Sequence, residues 1–156
     1  MEKAHRYTTT LNWTGNKGEG TAHYKAYDRD HVFTVPGKPE LPGSSDPSFR
    51  GNPARYNPEE LLVAALSSCH MLWYLHLCSV NDIVVVDYQD KAEGIMMEKA
   101  DGSGCFQKVT LRPVVTITNA ERLDRARELH HEAHRFCFLA SSMNFPVHHE
   151  PEFRIS

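Results

Sequence analysis

A chain of 156 residues is long enough to build one domain around a real core, and residues 1–156 are read as a single domain. Its net charge of −3 and pI near 6.3 exclude the basic footprint of a nucleic-acid binder. Four cysteines without C-x-x-C pairing exclude a disulfide scaffold and a zinc-finger site, which leaves free thiols, metal ligands or redox catalysts.

The N-terminus, MEKAHRYTTT, has no apolar run of the signal-peptide kind, so a soluble, cytoplasmic protein is expected. Residues 5–13 are rich in Thr and aromatics and read as a strand. Thr14 to Gly18 is turn chemistry. Residues 20–27 read as a second strand, which would close a hairpin. His31 to Val35 is a third, short strand, stopped by Pro36. Residues 36–56 are crowded with proline, glycine and serine, and form a long loop of the kind that is often functional.

The stretch Asn57–Cys78, NPEELLVAALSSCHMLWYLHLC, reads as the helix around which the rest is built. Pro58 suits a first helical turn, and Glu59 and Glu60 suit the positive end of the helix dipole. Leu62, Ala65, Leu66, Cys69, Leu72, Trp73 and His76 recur at three- and four-residue steps and share a face. Other leucines fall around the remaining circumference, as expected of a buried central helix. Ser67, Ser68, His70 and His76 argue against a membrane span.

Ile83 begins a strand predicted to continue to Lys99, with Gly94 as a bulge. Residues 101–104 are a hairpin turn. Residues 105–118 form the returning strand, with an irregularity at Pro113. Thr118 with Glu121 fits a capping box for a second long helix reaching Ala140, whose inner face carries Leu123, Ala126, His130, Ala133 and Cys137. Val147 to Ile155 reads as a closing strand.

Cys69 and Cys137 thus sit on the inward faces of the two predicted helices. A buried cysteine is ordinarily a small hydrophobe, but two such thiols that meet would form a reversible dithiol. The attacking sulfur must be a thiolate and needs a cationic neighbour; Arg50, Arg55 and Lys17 are the candidates. Glu59 stands ten residues before Cys69, a rise of roughly 15 Å, so it would join a thiol site only across a dimer interface. His130, His134 and Cys137 have spacing compatible with zinc, completed by His70 or Cys69, although an ordinary polar helix face has the same appearance. His148 and His149 read as surface. Cys78 and Cys105 read as packing or unreactive thiols.

The run Asn57–Cys69 resembles the motif that opens the central helix of the OsmC/Ohr family, the osmotically inducible and organic hydroperoxide resistance proteins. Asn57-Pro58-Glu59 is followed at the family's spacing by Cys69, and Cys137 stands where the family carries its second cysteine. The resemblance implies an α+β, OsmC-like fold, with antiparallel sheets packed around two long central helices in an intertwined homodimer. It implies a thiol peroxidase without a cofactor. Cys69 would attack an organic hydroperoxide, Cys137 would resolve the sulfenic acid to a disulfide, and a dithiol reductant of the lipoyl or thioredoxin type would restore it. Arg50 would assist the thiolate, with Lys17 and Arg55 as alternatives, and Glu59 would anchor the arginine. Three features depart from the family: His70 after the first cysteine, Phe138 after the second, and Lys17 in the first turn. Two other readings stand beside this one: a non-catalytic member that binds an apolar ligand or senses redox state, and the zinc protein.

Overall fold

The computed structural model describes residues 3–156. The chain divides into two units, Met1–Leu61 and Leu62–Ser156.

The first unit holds an antiparallel sheet of β1 (Thr10–Trp13), β2 (His31–Thr34) and β3 (Leu41–Gly43), in that order. The expected hairpin between residues 5–13 and 20–27 does not form, and β1 pairs instead with β2, Trp13 opposite His31. Residues 20–26 are turns and bends, with Tyr27 alone bridging back to Asn16, because local hydrogen bonds win there. The Asn16 side chain accepts from the N–H groups of Gly18 and Gly20 at 2.9 and 3.0 Å, and both glycines hold positive φ. Within the predicted loop, β3 was hidden by Pro42, which is tolerated on an edge strand. Asp46 caps a 3-10 turn, Pro47–Phe49, by accepting from the Ser48 N–H at 2.7 Å. A Cβ on Gly51 would collide with the Ser45 carbonyl, so the turn admits only glycine there.

Helix α1 (Pro58–Val80) follows the sequence reading in length. Asn57 caps it reciprocally: its side chain accepts from the Glu60 N–H at 2.8 Å, and the Glu60 carboxylate accepts from the Asn57 N–H at 3.2 Å. The buried face differs from the predicted one. Leu66, His70, Tyr74, Leu77 and Cys78 are buried, whereas Leu72 is 63% exposed and His76 is exposed. A helix apolar on every side does not announce its inner stripe; the partners choose it. By length and composition alone α1 is apolar enough to cross a membrane.

The second unit adds β4 (Val85–Asp90), β5 (Glu93–Glu98), β6 (Gly104–Leu111), β7 (Pro113–Ile117), α2 (Leu123–Phe136), β8 (Val147–His149) and β9 (Glu152–Ile155). Each long predicted strand is broken once, at Lys91–Ala92 and at Arg112, and the halves enter different sheets, β4-β7-β9 and β5-β6-β8. Asp90 holds both breaks, accepting from the Arg112 N–H at 2.7 Å and from the Ser67 hydroxyl at 2.5 Å. The sheets are not wholly antiparallel: β8 runs parallel to β6, and β9 parallel to β7. Nor do the described residues form two long helices, since α2 spans 14 residues. The Thr118–Glu121 box is not made; Ala120–Arg122 is a separate 3-10 turn, and Arg122 precedes α2 without a side-chain cap. At the other end Cys137 is extended (φ −67°, ψ 108°), which stops the helix short of Ala140.

Two apolar clusters fill this unit. One gathers Tyr74, Leu77, Ile83, Val115, Ile117, Ala126 and Leu129; the other gathers Leu66, Val109, Leu111 and Val147. Leu66→Ala and Leu129→Ala are each expected to cost about 2–5 kcal/mol in urea unfolding. Because they lie in different clusters, the double variant should add to within about 0.5 kcal/mol.

Candidate functional site

The Cys137 thiol donates to Cys69 Sγ at 2.9 Å, and neither is in a disulfide. The contact is set by helix ends and turns. Cys137 closes α2 with its N–H on the Ala133 carbonyl at 2.9 Å, and its own carbonyl accepts from the Ser141 N–H and hydroxyl at 3.0 Å each. The Ala140 N–H reaches back to Cys137 Sγ at 3.4 Å. Cys137 is buried and Cys69 half-buried. Burial, reinforced by the hydrogen bond to Cys69, pushes the Cys137 thiol up to about 11. Cys137 therefore keeps its proton at neutral pH. A covalent S–S bond needs a closure of roughly 1 Å from this geometry. Aromatic rings stand alongside: Trp73, one turn beyond Cys69, stacks on Phe136 at 5.2 Å and meets Phe138 edge-on at 5.7 Å. Phe138 is 71% exposed.

One position beyond Cys69 on α1, His70 meets His130 of α2. Its Nε2 lies 3.0 Å from His130 Nδ1, and both residues are buried. His149, on β8, stacks against both rings at 5.5 and 6.0 Å, and His131 and His134 stand 4.8 and 5.8 Å from it. Tyr74 lies flat on His130 at 3.8 Å. His70 Nδ1, His130 Nε2 and His149 Nδ1 are buried without a hydrogen-bond partner. Burial, and then the neighbouring imidazoles, lower His70 to about 3, His130 to about 2 and His149 to about 4. Reading His149 as surface was therefore wrong. Alternation in β8 held the signal, since Val147 and His149 share a side while His148 is exposed.

The zinc spacing does not assemble. His130 faces His70, and among the described residues no three His, Cys, Asp or Glu side chains are placed to hold a metal ion. Cys78 is buried and Cys105 exposed. Arg50 and Glu59 belong to the first unit. Arg50 is exposed, in left-handed conformation after the 3-10 turn, with its guanidinium 5.8 Å above the Tyr24 ring. Glu59 is half-buried in the first turn of α1. Of the other two cations, Lys17 is held by Asp28 at 3.1 Å and Arg55 by Asp30 at 3.1 Å. Among the described residues Arg50 makes no ion pair within 4.0 Å.

The α+β chain brings two free cysteines together beside an apolar helix and an aromatic wall. It belongs to the OsmC family: the family model described as OsmC-like protein matches residues 51–152. An OsmC-like protein of unknown function from Vibrio cholerae is 31% identical, with a TM-score of 0.84 over 95% of this chain and 99% of its own. The fold recurs in an organic hydroperoxide resistance protein from Legionella pneumophila, with 19% identity, a TM-score of 0.64, and 97% and 100% coverage. It recurs again in the organic hydroperoxide resistance protein OhrB of Bacillus subtilis, with 21% identity, a TM-score of 0.58, and 95% and 98% coverage. No curated protein is matched by the sequence.

Two outcomes follow from this geometry. In the reduced protein at pH 8, iodoacetamide should leave Cys137 trailing the other thiols; its raised pKa leaves roughly 100-fold less thiolate than an ordinary cysteine has, as peptide mapping would show. Second, His70 and His130 are folded in the neutral state, so their stabilisation is whole above pH 6.5 and is lost as pH falls below it. Between pH 7.5 and 5.5 the two together should remove about 3 kcal/mol from the urea-unfolding free energy.

Proposed function

We propose that the chain is a cysteine-based peroxidase that reduces organic hydroperoxides to alcohols. The observation that carries this reading is the 2.9 Å contact between Cys69 and Cys137. The Cys69 thiolate attacks the terminal oxygen of the hydroperoxide, the O–O bond breaks, and the alkoxide takes a proton to leave as the alcohol. Cys69 is then a sulfenic acid. Cys137 loses its proton, attacks that sulfur and expels water, and a Cys69–Cys137 disulfide remains. An external dithiol of the lipoyl or thioredoxin type returns both thiols.

The asymmetry of the pair supports these roles. Cys69 is the more accessible sulfur, and Cys137 is the buried one that holds its proton until a partner arrives. Arg50 assists ionisation of Cys69 and Glu59 anchors the arginine; the ion pairs already made by Lys17 and Arg55 favour Arg50 for this work. The protein works as a homodimer in the cytoplasm. Only 28% of the most apolar stretch of α1 is buried within one chain, and Leu72 and Phe138 stand exposed, as expected of surfaces that a second copy covers. Neither nucleic acid nor membrane is a partner. A second reading, an apolar-ligand binder or redox sensor, draws on the same aromatic wall of Trp73, Phe136 and Phe138; such a protein would keep its binding in Cys69→Ser.

The first test is intact mass and peptide mapping of the reduced protein after one equivalent of cumene hydroperoxide. Loss of two hydrogens, mapped to Cys69–Cys137, is expected. Cys69→Ser should abolish turnover, and Cys137→Ser should stop at a sulfenic acid that dimedone captures. Scattered oxidation of methionines in place of the cross-link would sink the peroxidase and leave the binding protein. Separately, Arg50→Ala should slow alkylation of Cys69 near neutral pH. An unchanged profile would remove Arg50 from the site and turn attention to Lys17.

A further inference from the structure

The five clustered histidines have no part in the thiol chemistry, yet they stand beside it. His70 follows Cys69 on α1, His130 lies two turns before Cys137 on α2, and the Cys137 N–H also reaches the His134 carbonyl at 3.3 Å. The same two helices therefore meet through the sulfurs and through the imidazoles. We propose that the His70–His130–His149 cluster is an acid-sensitive latch on the thiol pair: protonation parts α1 from α2 and separates Cys69 from Cys137.

The argument is one of satisfied and unsatisfied nitrogens. A neutral His70–His130 pair shares one proton across its 3.0 Å contact. Whichever tautomer is present, one outer ring nitrogen is a lone pair and the other an N–H, and both are buried without partners. An added proton must sit on one of those outer nitrogens, and nothing there accepts it. A second proton on the pair puts two N–H groups face to face and abolishes the bond.

Among the described residues no surrounding group relieves this charge. From α1 the cluster faces Tyr74, whose hydroxyl donates to the Ala126 carbonyl, and beyond it Cys78. From α2 it faces His131 and His134, from β4 Tyr88 through Tyr74, from β8 His148, and from β9 the Phe153 ring. The carboxylates near by on α2, Glu128 and Glu132, both hold Arg125, and Glu150 holds Arg112. Among the described residues the only histidine paired with a carboxylate is His23, in the first unit. Protons have a way in, because His131 is exposed and His134 and His149 are half-buried at the edge of the stack. Opening the latch hydrates all three rings at once, so they take up protons together.

As regulation of the thiol pair, the latch rests on the peroxidase reading; its test reads the helix contact without peroxide, so the two can fail separately. Trp73 reports the contact directly, since its ring spans from α1 to Phe136 of α2. The chain has two tryptophans, and Trp13→Phe silences the other. The full chain carrying Trp13→Phe is taken from pH 7.5 to 4.5 while Trp73 emission, far-UV circular dichroism and imidazole proton resonances are recorded. The expected result is a red shift of Trp73 between about pH 4 and 6 with helix content retained. The His70, His130 and His149 resonances should move together in that transition, and more steeply than one proton allows. Diamide cross-linking of Cys69 to Cys137 should fall across the same range by more than the tenfold per pH unit that thiol ionisation alone gives. Imidazoles that titrate one by one near pH 6.5 while Trp73 stays unmoved would overturn the latch. So would loss of the helix signal at the Trp73 midpoint, which is global acid unfolding. So, too, would stoichiometric zinc shifting the same resonances at pH 7.5. His70→Gln with His130→Asn keeps a neutral hydrogen bond without the charge and should lower the Trp73 midpoint by at least one pH unit; a wild-type midpoint overturns the latch. If that variant is unfolded at pH 7.5, the wild-type resonances decide alone.

Discussion

Tyr74 lying flat on His130, with rings 3.8 Å apart and 11° from parallel, is the joint on which the second unit depends. It fixes how deeply α1 and α2 approach, and the Tyr74 hydroxyl secures the depth by donating to the Ala126 carbonyl at 3.2 Å. Ala126 and Ala133 make room for the ring, as small residues at a helix contact do. The burial of Leu77, Ile83, Ile117 and Leu129 follows from that approach, and so does the meeting of Cys69 with Cys137. The joint is polar where most helix contacts of this kind are aliphatic. An imidazole stacked between a phenol ring and a second imidazole keeps its shape only while it stays neutral.

The two sulfurs are made unequal by burial, and then by the hydrogen bond between them. Cys137 ends a helix and is buried beneath the turn that follows, and burial outweighs the N–H it receives from Ala140, which acts the other way. Cys69 sits mid-helix at the half-exposed edge of an apolar stripe. One sulfur can be reached; the other waits with its proton.

Much of this was readable in the sequence. Helix α1, its start at Pro58, the turn at residues 101–104, the strand at His31 and the pairing of Cys69 with Cys137 were all expected and are all present. The failures have physical causes. The inner stripe of α1 was misplaced because leucines surround the helix and periodicity then carries no direction. The long strands were read through their breaks because Lys91 and Arg112 look like ordinary strand residues; it is Asp90, gripping Ser67 and the Arg112 N–H, that turns them. The N-terminal hairpin was lost to the side chain of Asn16. His149 was taken for surface because its partners lie on two other elements, a distance in sequence that no local pattern spans.

One feature of the topology reaches beyond the site. Strands β8 and β9 are separated only by Glu150 and Pro151, yet each completes a different three-stranded sheet by parallel pairing. The Glu150 N–H, in that short link, is itself bonded to the Leu111 carbonyl at 2.9 Å. A slip in the register of β8 on β6 would therefore be transmitted at once to β9 on β7. The two sheets are mechanically one object, spliced by two residues, and neither can fray without the other.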